Sequence, residues 1–165
     1  RPMLSLGWNG RRKRPLEGTM KIVLGFDDSP HAQAALRWVR QQRWPEGTHV
    51  TVVSAVSAPI TAYAEVYAPS IPYPTEMVEE LTRHHEELCM RAEDELRGAG
   101  FTTAAKVLPG DPREVLIEAA RAENADLLVV GSHGRTGFAK LILGSVAAHV
   151  VSHAPCNVLV IKRSA

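Results

Sequence analysis

The stretch GSHGRTGFAKLILGS, residues 131–145, gathers Gly131, Gly134, Gly137 and Gly144 with Arg135, Lys140 and a closing Ser145. Glycine admits φ > 0 and lets a ligand approach the main chain closely, so successive N–H groups can turn toward one anion. Gly144 and Ser145 stand where a helix is expected to open. The first N–H groups of a helix lack intrahelical partners, and its dipole favours negative charge there. The chemistry on offer is the holding of a phosphate, with Ser145 adding a hydroxyl. Arg135 and Lys140 either add charge or reach into solvent. The stretch has no G-x-x-x-x-G-K-[ST], which excludes the lysine loop of the P-loop type, and its spacing is not the dinucleotide G-x-G-x-x-G either.

A second set of polar residues lies a hundred positions upstream in FDDSP, residues 26–30. Asp27 is read as a ligand-facing carboxylate, and Asp28 as a capping or solvated one, since carboxylates are favoured near a helix N-terminus. His133, inside the glycine stretch, either reaches a phosphate or stays exposed. His84 and His85 adjoin on one helix and point to different faces, which is poor metal geometry, so they are expected at the surface and boundary. His31, His149 and His153 form no recognisable set with them.

Residues so far apart must be brought together by the elements between them. From Met20 onward, short strand-like runs alternate with longer helix-like ones, the pattern of an α/β domain with a parallel sheet. Strands are expected over 21–26 (KIVLGF), 49–56 (HVTVVSAV), 102–108 (TTAAKVL), 126–131 (DLLVVG) and 157–161 (NVLVI). Ser29 as N-cap and Pro30 at the first helical position announce one helix, and Asp111 with Pro112 another. A long helix over 75–98 keeps Met77, Leu81, Leu88, Ala92 and Leu96 on one face and is stopped by Gly98 and Gly100. Ser145 begins a fourth helix. The loop over 57–74, with its prolines and tyrosines, is either a surface excursion or a lid over the strand ends.

With right-handed crossovers, this order of elements folds into an open five-stranded parallel sheet of order 3-2-1-4-5, helices on both faces, of Rossmann-like type. Ligands of such sheets bind beyond the carboxyl ends of the strands, where the strand order reverses. That crevice lies between the first and fourth strands. FDDSP and the glycine stretch are therefore expected to face each other.

Composition bounds the rest. The chain has 165 residues, 45% hydrophobic and 22% charged, which suits one domain over 20–165. Residues 1–19 hold five basic residues against Glu17 and show no strand or helix period. They are expected to be a disordered basic extension, or residues foreign to the natural product, with Met20 the expected start. Beyond them 14 basic and 17 acidic residues remain, a net charge of −3, so nucleic acid is not an expected partner. No apolar run approaches the roughly 20 residues that a membrane helix needs. Cys89 and Cys156 lie far apart with no metal-like spacing, which fits reduced thiols and a cytoplasmic location.

The spacing G-x2-G-x9-G-S, carried by Gly131, Gly134, Gly144 and Ser145, resembles the ATP-binding signature of the universal stress protein family. KIVLGFDDSPHAQAAL, GDPREVLIEAA, ADLLVVGSHGRTG and HAPCNVLVIK extend the resemblance from Met20 to Ile161. It implies a fold related to the adenine nucleotide alpha hydrolases and ATP as ligand, with Mg²⁺ held through Asp27 if at all. By the same resemblance, Gly25, Phe26 and Asp27 border the nucleotide at the first strand, and Ala55 packs on the adenine. Val130 and Gly131 border the base and ribose. Ser132, His133, Gly134, Arg135, Gly144, Ser145 and Val146 complete the phosphate side. Gly137 falls outside the signature and is read as a turn. Gly25 departs from the proline of many relatives, which bears on the shape of the adenine wall. Homodimers through the last strand, Asn157 to Ile161, are implied too, and its expected open edge fits that. A protein partner is expected but not named by the residues. With no general base evident beside the aspartates, the residues favour a nucleotide-dependent signalling module in the stress response. The alternatives are a slow ATPase or other nucleotide-hydrolysing enzyme of the same fold, or a nucleotide-independent interaction protein.

Overall fold

The computed structural model describes residues 19–57, 75–134 and 143–163. Among them strands and helices alternate as β1 (Lys21–Gly25), α1 (Pro30–Gln41), β2 (His49–Val56), α2 (Thr75–Gly98), β3 (Thr102–Pro109), α3 (Pro112–Ala122), β4 (Leu127–Gly131), α4 (Ser145–His153) and β5 (Asn157–Ile161). All four strand pairings are parallel and the order is β3-β2-β1-β4-β5, as the sequence pattern implies. A parallel sheet covered by helices is buried on both faces, and its inner strands therefore read as nearly continuous apolar runs. Ile22, Leu24, Val50, Val52 and Val129 pack on one face with Leu36 and Val39 of α1 and Leu88 and Leu96 of α2. Val23, Val53, Leu128 and Val130 pack on the other with Leu116 and Ile117 of α3 and Ala147 and Val150 of α4.

The helix boundaries follow from capping chemistry. Ser29 Oγ accepts the Ala32 N–H at 3.1 Å, and Pro30 begins α1 without a lost hydrogen bond. Beyond α2, Gly100 takes φ +93 and its N–H donates to the Arg97 carbonyl, the left-handed ending that glycine permits. Asp111 accepts the Arg113 N–H at 2.8 Å and is also gripped by the Arg113 guanidinium. That side-chain hydrogen bond lowers the Asp111 pKa from its ordinary 3.8 to about 2. A depressed carboxylate pKa stabilises the fold fully above the unfolded value and ceases to do so as pH falls through the folded one. Asp111→Ala is expected to cost about 1 kcal/mol at neutral pH. The gap between wild type and Asp111→Ala in urea denaturation should close between about pH 4 and pH 2.

The structure sharpens the apolar face of α2 and corrects the placement of His85. Met77 is 48% exposed and Leu81 only partly buried, so the apolar face starts to bury at His85 and continues through Leu88, Cys89, Ala92 and Leu96. His85 is itself buried rather than at the boundary, because Ser54 on β2 meets its Nδ1 at 2.7 Å and supplies a polar partner inside the core. Cys89 and Cys156 are both free thiols. Burial pushes the Cys89 pKa up to about 11, which leaves it an unreactive thiol.

Residues 1–18 and the 58–74 part of the loop after β2, including any lid there, lie outside the described residues, as do Arg135, Gly137 and Lys140. Among the described residues no helix is long and apolar enough to cross a membrane.

Candidate functional site

β1 and β4 are neighbours, with Ile22 opposite Leu127 and Leu24 opposite Val129, so the chain segments leaving their carboxyl ends meet. After β1 the backbone swings into α1 through Asp28, whose φ of 60 is a left-handed conformation that aspartate tolerates better than most residues. Asp27 Oδ1 accepts the Ser29 N–H at 3.1 Å. The buried Ser29 hydroxyl, besides capping α1, donates to the His133 carbonyl at 3.3 Å. One serine thus joins the first loop to the glycine stretch across the crevice.

The signature glycines occupy three different tight places. A Cβ at Gly131 would stand 2.7 Å from the His31 carbonyl carbon and 2.8 Å from the Ala32 nitrogen, so its missing side chain lets β4 close against the backbone of α1. A Cβ at Gly134 would stand 2.9 Å from Asp27 Oδ2, which places the carboxylate of the first loop directly against the second. At Gly144 it would come 3.2 Å from the Ser132 carbonyl oxygen and 3.3 Å from His133 Cα. The Gly144 N–H donates to that same Ser132 carbonyl at 2.8 Å and folds the stretch back on itself just before α4.

α4 opens with Gly144 as N-cap and no side-chain cap. The N–H groups at the start of the helix, beginning at Ser145, therefore have no capping side chain to satisfy them. An anion placed there would meet backbone donors at the positive end of the helix dipole. The residues fit a phosphate chain for this reason.

Ser132 is fully buried and saturated. Its N–H donates to the Ile161 carbonyl at 2.7 Å, its carbonyl accepts from Gly144, and its hydroxyl lies 3.0 Å from His31 Nδ1 and 3.1 Å from His133 Nδ1. The Arg163 N–H also donates to His31 Nδ1, at 3.1 Å. The two imidazole rings sit 5.2 Å apart, tilted by 50°. Burial, then the neighbouring His133 and Arg163, push the His31 pKa below its ordinary value, against an opposing pull from Asp27.

The structure thus brings Asp27, Ser132, His133, Gly134, Gly144 and Ser145 to one place at the sheet's switch point. Val130 is buried in the core cluster on the α3 and α4 face of the sheet, with Ala55 and Val146 partly buried against that cluster. Gly25 and Phe26 sit deeper. The Gly25 Cβ direction is filled by Leu116 and Val130, and Phe26 is buried on the opposite face toward α1 and α2. Ser132 supports the loop from behind, with its hydroxyl turned to two histidines. Sequence reasoning missed Ser29 as a cross-link, and its reading that His31 forms no set with the other histidines is corrected by the contacts that join it to His133 through Ser132. Its capping role made Ser29 visible, but neither partner 104 nor 101 residues away could be read from the chain.

Among the described residues no group of three or more histidine, cysteine or acidic side chains is placed to hold a metal ion.

A sequence model described as the Universal stress protein family matches residues 18–162. A universal stress protein encoded in the QAH/OAS sulfhydrylase 3′ region of Thermus aquaticus is 31% identical over 86% of this chain and 97% of its own length. Universal stress protein Rv2623 of Mycobacterium tuberculosis is 29% identical over 87% of this chain, which spans about half of that longer protein. Among solved structures, that of MJ0577 from Methanocaldococcus jannaschii superposes with a TM-score of 0.75 at 26% identity, covering 87% of this chain and 96% of that one. An Arabidopsis thaliana family member with AMP bound (TM-score 0.64, 20% identity, 88% and 93% covered) and one from Archaeoglobus fulgidus with dAMP (0.58, 24%, 87% and 98%) share the fold.

Proposed function

The chain belongs to the universal stress protein family, and from that premise we propose that it binds ATP in the crevice between β1 and β4 and acts as a nucleotide-dependent module of the stress response. The observation that carries this reading is the uncapped N-terminus of α4, opening at a glycine and flanked by His133 and the Asp27 and Gly134 pair. The adenine nucleotides bound by relatives of the same fold support it.

In this reading the triphosphate lies along Gly134, Gly144 and Ser145, with backbone N–H groups as its main ligands and Arg135 adding charge. The base lies toward Ala55 and Val130. Asp27, as the carboxylate nearest the phosphates, is the group that would hold Mg²⁺ if the ion accompanies the nucleotide. Mg²⁺ would then offset the repulsion between that carboxylate and the phosphates. Hydrolysis is slow or absent, because phosphoryl transfer needs a group that orients the attacking water as well as a binding site. Two copies pair through the outer edge of β5 in the cytoplasm, and a further protein reads the nucleotide state.

Calorimetric titration with ATP, in the presence and absence of Mg²⁺, tests the binding. Micromolar or tighter affinity is expected, together with an adenine nucleotide in the mass spectrum of gently purified protein. Heat-silent titrations and a nucleotide-free spectrum would reject the reading. Native mass spectrometry of the same sample reports the dimer.

A further inference from the structure

The geometry points to His31 as a positioning residue of this site, a neutral imidazole that locks the glycine loop, through Ser132, to the N-terminus of α1 and to the chain leaving β5. The inference rests on the nucleotide reading for its consequence but not for its geometry.

Only one arrangement of protons makes all three contacts hydrogen bonds. The Arg163 main-chain N–H can only donate, so His31 Nδ1 carries a lone pair and the ring is protonated on Nε2. Ser132 Oγ lies 3.0 Å from that same nitrogen, and for this contact to be a hydrogen bond its hydroxyl proton shares the single Nδ1 lone pair with the Arg163 N–H. With its only proton committed, Ser132 Oγ can only accept from His133 Nδ1 at 3.1 Å, so His133 carries its proton on Nδ1. A relay runs from His133 through Ser132 to His31, with Arg163 joining at the end.

The relay has mechanical force because Ser132 is fully buried and Gly131 is pressed against the backbone of His31 and Ala32. The same Ser132 carbonyl receives the Gly144 N–H that places the start of α4. Moving Ser132 therefore moves the donors that would face a phosphate. The depressed basicity of His31 fits its task, since a proton on Nδ1 would oppose both the Ser132 hydroxyl and the Arg163 N–H.

The substitutions His31→Asn, His31→Gln and His31→Ala separate this role from simple space filling. Asparagine places a carbonyl oxygen near the position of Nδ1 and keeps an acceptor there, glutamine carries its acceptor too far out, and alanine has none. The Kd for ATP should rise about tenfold in His31→Ala and His31→Gln but stay within about threefold in His31→Asn, the scale of one buried hydrogen bond. Equal affinities in Asn and Gln would overturn the proposal, and that pair decides the matter if the alanine variant fails to fold. Imidazole ¹⁵N spectra of the nucleotide-free wild type provide a readout independent of binding. They should show His31 protonated on Nε2 and His133 on Nδ1, with the His133 pattern lost in His31→Gln and retained in His31→Asn. The opposite tautomers would overturn the relay even if ATP binds. A wild type with the expected tautomers that fails to bind ATP would instead sink the functional reading and leave the relay standing.

Discussion

Gly144→Val is expected to lower the affinity for ATP at least about 100-fold while leaving the fold nearly intact. The backbone there is extended, with φ −69 and ψ 162, a conformation open to valine, so no strain arises from the main chain itself. What changes is space. The Cβ comes 3.2 Å from the Ser132 carbonyl oxygen and 3.3 Å from His133 Cα, and valine adds two methyl groups to it at the residue that caps α4. A phosphate denied two charge-assisted hydrogen bonds loses about 3 kcal/mol, which is the hundredfold change. The cost to stability, valine for glycine at an N-cap together with the small retreat that the two Cβ contacts demand, is about 1–2 kcal/mol. Gly144→Ser sharpens the test. A serine hydroxyl there would cap α4 and offset part of the crowding at its Cβ while competing with the phosphate for the same N–H groups. Urea denaturation and calorimetry on the three proteins should therefore show Gly144→Ser losing affinity out of proportion to stability. An unchanged Kd in both variants would remove α4 from the binding site.

Gly131→Ala is expected to act the other way round, on the fold first. Its Cβ would stand 2.7 Å from the His31 carbonyl carbon and 2.8 Å from the Ala32 nitrogen, and main-chain atoms of a helix cannot swing aside as a side-chain tip can. Relief requires α1 to retreat from β4. That movement stretches the Ser29 bond to the His133 carbonyl and the Ser132 contact with His31. Overpacking of this kind costs about 3 kcal/mol, and for a domain of this size Tm should drop by about 10 °C. Nucleotide affinity should fall as well, because both halves of the crevice shift. Thermal unfolding by circular dichroism checks it. A drop of less than about 2 °C would mean that β4 and α1 leave room between them for a methyl group.

These two glycines belong to one signature but answer to different neighbours, and the difference marks how far a sequence can be read. The alternation of apolar runs, the cap-and-proline pairs Ser29–Pro30 and Asp111–Pro112 and the glycine stop after Leu96 are local signals, generated by residues within a few positions of one another. They place the five strands to within a residue and the starts of the four helices, and with the crossover rule they place the β1 and β4 ends side by side. Met77, on the apolar face of α2, is nevertheless 48% exposed, because amphipathic spacing says which face of a helix is apolar and not how much of its length the sheet covers. His85 was misread because its partner, Ser54, lies on another element.

The type of each element, the strand order and the clustering of Asp27 with the signature glycines were determined by the sequence alone, since backbone propensity, period and chain connectivity all act over short distances. Only the tertiary structure decided what each glycine makes room for: the backbone of α1 at Gly131, a carboxylate at Gly134, and the space before α4 at Gly144. It alone tied His31 to residues 101 and 132 positions away. Close approach and long-range hydrogen bonding depend on where packing sets whole elements to within tenths of an ångström, and the chain carries no local mark of that distance.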